Sequence, residues 1–83
     1  MIIKPLGTEI DIGSTANTVD NAKLVRIINT SGSSNHVANV SFANGTVYTS
    51  ITLSKDETIF LEKDPTDKIL GPNMKAISIA FRH

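Results

Sequence analysis

Few residues in this 83-residue sequence have the types and spacing for chemistry. Glu62, Asp64 and Asp67 place three carboxylates in the stretch Glu62-Lys63-Asp64-Pro65-Thr66-Asp67, and carboxylate oxygens are what a calcium ion collects. Calcium takes about six to eight of them, more than this stretch supplies. The same residues spell a helix start, with Asp64 at the cap, Pro65 in the first helical position and Asp67 three residues after the cap. Capping is the preferred reading, and no metal is expected. His36 with Ser33 or Ser34 would pair a base with a nucleophile, but acyl chemistry also needs an orienting acid and oxyanion donors, and nothing nearby signals either. His36 and His83 stand far apart, each without Cys, His or carboxylate at ligand spacing. The chain is therefore expected not to be an enzyme and to carry no cofactor. Asn29, Asn39 and Asn44 each open an Asn-x-Ser/Thr triplet; without a secretion signal they read as turn and strand asparagines.

Composition narrows the partners. Eight basic and eight acidic residues cancel to a formal net charge of zero and are scattered, so no electrostatic footprint for nucleic acid is present. The four aromatic residues, Phe42, Tyr48, Phe60 and Phe81, do not alternate with basic ones as a single-strand platform would. Met1-Ile2-Ile3-Lys4-Pro5 is too short an apolar start for a signal peptide, and no run approaches the ~18 apolar residues of a membrane span. A soluble protein made without a secretion signal is expected, with neither nucleic acid nor membrane as partner and no small-molecule ligand. A chain this short buries only about 60–65% of its unfolded surface. With no cysteine and no metal cluster, self-association is the remaining aid to stability.

The elements that would position these residues are strands. Asn44-Gly45 sits between two alternating runs, 36–43 and 46–53, and predicts a hairpin closed by a type I′ turn. Ala38, Val40 and Phe42 face inward on the first run; Val47, Thr49, Ile51 and Leu53 share a face on the second, with Tyr48 on the polar side. Residues 8–12 alternate cleanly, with Ile10 and Ile12 on one side. Ile2 and Ile3 form a lead-in limited by Pro5 to an edge. Residues 23–29 are apolar on both faces, Val25 and Ile27 against Leu24 and Ile28, as in a covered central strand. Residues 58–62 set Ile59 and Leu61 against Phe60. Residues 65–70 predict one short helical turn, stopped by Gly71-Pro72. The last strand, 75–82, turns Ile77, Ile79 and Phe81 inward and leaves Ala76, Ser78 and Ala80 as a flat outer face. The sum is one all-β domain over residues 1–83, a compact β-sandwich of six or seven strands, Ig-like or a small jelly roll.

Two-faced strands and a flat uncharged face predict a surface for protein contact. Its candidates are Leu24, Ile28, Tyr48, Phe60, Ala76, Ser78 and Ala80. Loops 13–22 and 30–35 are the alternative, a glycan- or protein-recognition end on a rigid scaffold.

Three stretches, Ile3-Lys4-Pro5-Leu6-Gly7, Ala22-Lys23-Leu24-Val25-Arg26-Ile27-Ile28-Asn29 and Ile59-Phe60-Leu61-Glu62-Lys63-Asp64-Pro65-Thr66-Asp67, resemble those of short proteins encoded by tailed bacteriophages, particularly marine and cyanobacterial phages. The resemblance covers most of the chain and contains no catalytic signature. It implies a multi-copy virion component made in the host cytoplasm. A capsid decoration or cement protein bound to the major capsid protein comes first, and a tail, neck or fibre component second. Homo-oligomerisation is expected in either setting.

Overall fold

The computed structural model describes residues 2–82, with side chains for 3–80; Met1, His83 and the side chain of Phe81 lie outside the described residues. Among the described residues eight strands are present: β1 Ile2–Pro5, β2 Ile10–Asp11, β3 Leu24–Asn29, β4 His36–Ser41, β5 Val47–Leu53, β6 Thr58–Glu62, β7 Lys68–Leu70 and β8 Met74–Arg82. The hairpin at Asn44-Gly45 joins β4 to β5 as expected, but by a different turn. Gly45 has φ 92° while Asn44 is absent from the positive-φ residues, so this is not the type I′ turn. Gly45 N donates to Phe42 O (2.9 Å) and Phe42 N to Thr46 O (2.9 Å), a three-residue loop with glycine in the left-handed position. Asn44 Oδ1 accepts from Thr46 N at 2.9 Å, which holds the loop without asking asparagine for a positive φ.

The whole chain continues that hairpin. Moving outward from the turn, His36 lies opposite Leu53, Leu24 opposite Glu62, Asn17 opposite Ile69, Ile10 opposite Ala76 and Ile2 opposite Arg82. It is one long antiparallel ribbon, and it is rolled: β3 also pairs β8, and β4 also pairs β7. Rolling produces one sheet in the order β1-β8-β3-β6, with β2 beside β8, and a second in the order β5-β4-β7. This is the jelly-roll arrangement. The backbone measures 34 × 31 × 19 Å, the thin axis accommodating two sheets about 10 Å apart.

Between the sheets lie Ile12, Val19, Val25, Ile27, Ala38, Leu53, Ile69, Met74 and Ala76, all fully buried. Cross-strand partners share a face, so Ile10, Ala76, Ile27 and Ile59 form one rung of the inner surface. That rung corrects the expected facing of β8. Ala76 and Ser78 are buried inside, while Ile77 stands opposite Arg26, itself opposite Phe60. The reason is space: with bulky Ile10 and Ile27 on either side, the middle of the rung is filled by a small residue. Ala80 is half-buried on the same parity. Ile79, on the other face, is also buried.

The helical turn expected at 65–70 is instead a tight turn, Asp67 N donating to Asp64 O at 3.0 Å, followed at once by β7. Ile69 decides this, since its backbone is taken by Asn17 on one side and Val40 on the other. Residues 13–22 form a loop that Val19 pins to the core. Val19, Asp20 and Asn21 take φ values of 56°, 59° and 54°, a left-handed turn costing L-residues roughly 1–2 kcal/mol each. Full burial of Val19 offsets part of that, about 1.5–3 kcal/mol.

Candidate functional site

A bulge brings the exposed Tyr48 to Asp67, which with Lys63 makes the two buried ionisable side chains among the described residues. Ser41 lies opposite Val47 but Val40 opposite Thr49, which leaves Tyr48 as the extra residue and re-aims its side chain. The ring stacks on Phe42 with centroids 4.4 Å apart, and the hydroxyl donates to Asp67 Oδ2 at 2.6 Å. Phe42 was expected inside; it is 47% exposed, because the chain leaves β4 for the turn there. Asp67, expected near a helix cap, is buried and serves as the acceptor for Tyr48. Lys63 follows β6, its backbone N donating to Lys23 O, and it too is buried. Its Nζ donates to Ala22 O (2.7 Å) and Asp64 O (3.2 Å).

The electrostatics follow from this packing. Accepting from Tyr48, the Asp67 carboxylate holds the phenol proton in place; with desolvation and the negative charges of Asp67 and Asp64, this pushes the tyrosine up to about 12. Burial lowers Lys63, against the pull of Asp67 and Asp64. The two act oppositely on stability. A raised Tyr48 contributes stability that is complete below pH ~10 and lost as pH climbs toward about 12. A lowered Lys63 costs stability while charged in the fold, and that cost disappears as pH rises from its folded value to 10.5. Chemically the cluster is an anchor: a phenol held protonated and an amine spent on two carbonyls are poor bases. With one tyrosine and no tryptophan, ultraviolet absorbance reads Tyr48 alone. Its titration is expected well above that of free tyrosine, and Asp67→Asn is expected to bring the midpoint back toward 10 in a variant still folded by circular dichroism. An unchanged midpoint would show that the hydrogen bond is not its cause.

A second, polar feature lies at one end of the sandwich: a depression of about 240 Å³ lined by Asp11, Gly13, Ser14, Pro72 and Asn73. The beginnings of the two predicted recognition loops meet here. Thr30 donates from N and Oγ1 to Asn73 O (2.8 and 2.6 Å), and Asn73 Nδ2 lies 3.1 Å from His36 Nε2. Further along the first loop, Val19 and Ala22 are buried in the core while Asn17, Asp20 and Asn21 stay exposed. Asn73 escaped the sequence reading; the turn residues Gly71-Pro72 before it were its signal. Asp11 Oδ1 is occupied by Gly13 N at 2.7 Å. His36 thus faces Asn73, while the amides of Ser33 and Ser34 fold back on Ser31 Oγ. Among the described residues no three His, Cys, Asp or Glu side chains converge as metal ligands.

The predicted contact residues divide. Ala76 and Ser78 are buried in this chain and are not available to a partner. Leu24 and Ile28 are half-buried on the outer face of the larger sheet, on the same side as Phe60, which is 47% exposed. Tyr48, 43% exposed, stands on the smaller sheet beside Phe42 and Val47. Ion pairing on the outer face of the larger sheet is represented by Arg26 and Glu9 at 3.3 Å, both exposed enough for the pair to be worth little. No helix among the described residues is long and apolar enough to cross a membrane. Comparison with protein-family models, with curated proteins and with solved structures found no match.

Proposed function

We propose that this chain is a structural subunit of a tailed-phage virion, held in many copies on the capsid as a decoration protein, with a tail, neck or fibre position as the second placement. One observation carries the reading: large apolar side chains stand outward on both sheets, Phe60 on one and Phe42, Val47 and Tyr48 on the other. A subunit with such side chains on both layers can be held by two neighbours, as a protein seated between capsomers must be. Clustered exposed apolar groups in a small domain mark contact surfaces. Zero net charge and no cysteine suit a part packed beside many others. Jelly rolls recur in viral capsid and lectin domains, an architectural analogy that ranks below the side chains. The resemblance of residues 3–7, 22–29 and 59–67 to phage proteins supports the same setting.

Quantitative mass spectrometry of purified particles of the phage that encodes the chain tests the proposal. The expected result is a fixed high copy number, reduced when Phe60→Lys is supplied in place of the parent. Absence from washed particles would overturn it. The polar depression at Asp11, Ser14 and Asn73 favours a second reading, recognition of a hydroxyl-rich ligand such as a glycan by the loop end.

A further inference from the structure

Every open sheet edge invites another strand, and proteins protect theirs with charge, proline, shortness or cover. Among the described residues, four of the five strands open on one side are protected. β1 carries Lys4 and ends on Pro5, and β2 has two residues. β6 ends on Glu62 and is preceded by Glu57. β7 has three residues, starts with Lys68 and is capped by the Asn17 bridge.

β5 is different. It reads Val-Tyr-Thr-Ser-Ile-Thr-Leu over seven residues, with no charge, proline or glycine. It pairs β4 on one side and stands at the end of its sheet on the other. Its β-branched residues favour extended pairing. The bulge at Tyr48 interrupts only its beginning, leaving 49–53 regular.

We propose that two copies of this chain pair antiparallel along β5, joining their smaller sheets into one continuous sheet. The occupant is argued from the strand itself. Set antiparallel about Ile51, it opposes Thr49 to Leu53 and Ser50 to Thr52, with no charge facing a charge. Lys55 and Asp56, beyond its end, fall opposite Val47 and Thr46 of the second copy, so like charges do not meet. The contact is self-complementary, as two-fold symmetry requires, and copies with zero net charge approach without overall repulsion. A thin core gains most from such an addition. The pairing stands apart from the virion reading, because it belongs to the purified chain whether or not a particle is present.

Sedimentation velocity of the full chain over a concentration series tests it. The parent is expected to dimerise. The double variant Ser50→Lys with Thr52→Lys sets lysine against lysine across both rungs and is expected to weaken the dimer at least about tenfold; Phe60→Lys, on the other sheet, is expected to leave it intact. A parent that stays monomeric to near-millimolar concentration overturns the proposal, as does a dimer indifferent to the double variant or lost with Phe60→Lys. Should the double variant not fold, hydrogen exchange on the parent decides. Amides within 49–53 are expected to exchange faster on dilution, and no change with concentration overturns the pairing.

Discussion

Replacing Asn29 with leucine is expected to cost the domain about 3–4 kcal/mol, more than half the roughly 5 kcal/mol that a chain this small commands. Asn29 is completely buried at the end of β3. Its Nδ2 donates to the carbonyls of Ser34, Leu53 and Ser54 at 3.1, 3.1 and 3.2 Å, and its Oδ1 accepts from Ser31 N at 2.9 Å. β3 belongs to the larger sheet and Leu53 closes β5 in the smaller one. One amide thereby holds the 30–35 loop, the 54–57 turn and both sheets together. Leucine matches its branched shape but carries no polar atom, so Ser31 N loses its acceptor and the carbonyls of Ser34 and Leu53 lose this donor, while Ser54 O keeps Glu57 N at 3.0 Å; each buried group left unpaired costs about 1–3 kcal/mol. Asn29→Asp should be worse, since a carboxylate would face three carbonyl oxygens. Urea unfolding checks both: a lower midpoint at unchanged slope is expected, and a leucine variant within about 1 kcal/mol of the parent would show that the amide is not the joint.

Asn29 also shows what the sequence made legible and what it did not. Asn29 has the parity of Val25 and Ile27, the side that the structure buries, although the apolar Leu24 and Ile28 on the other side kept the sequence from naming an inner face. Its triplet with Thr30 and Ser31 suggested a turn residue instead, and the parity it shares with Val25 and Ile27 was the better signal. The hairpin at Asn44-Gly45 was legible because its determinants are adjacent. The rolling of the ribbon was not, because β3 against β8 and β4 against β7 are non-local pairings that depend on the interior as a whole. The Asp64-Pro65 start was misread as helical for the same reason, local capping grammar yielding to the two strands that claim Ile69. Tyr48 was singled out for its place on the polar side of its strand, and it is 43% exposed. Its partner Asp67 lay out of reach, since only the bulge in β5 brings the hydroxyl to that carboxylate. Both sheets contribute outward apolar residues to the candidate surface, whereas the flat face assigned to β8 disappeared once its small residues proved to be interior.

The facing of β8 yields the second large effect. Ala76→Asp is expected to leave the chain unfolded at neutral pH, while the neighbouring Lys75→Gln changes stability by less than about 0.5 kcal/mol. Ala76 is fully buried between Ile10 and Ile27, so aspartate there adds volume to a filled rung and a carboxylate without a partner. The first typically costs about 1–3 kcal/mol and the second several more, together exceeding the stability available. Lys75 points the other way into solvent, where its charge has little to lose. Circular dichroism and thermal melting of the two variants side by side decide the matter. If Ala76→Asp melts like the parent, β8 presents its small residues outward after all, and the inner rung from Ile10 to Ile59 does not exist. If it is unfolded while Lys75→Gln is not, the interior is packed around the smallest side chain of that rung, and the positions left for the proposed contacts are Phe60, Tyr48 and the open edge of β5.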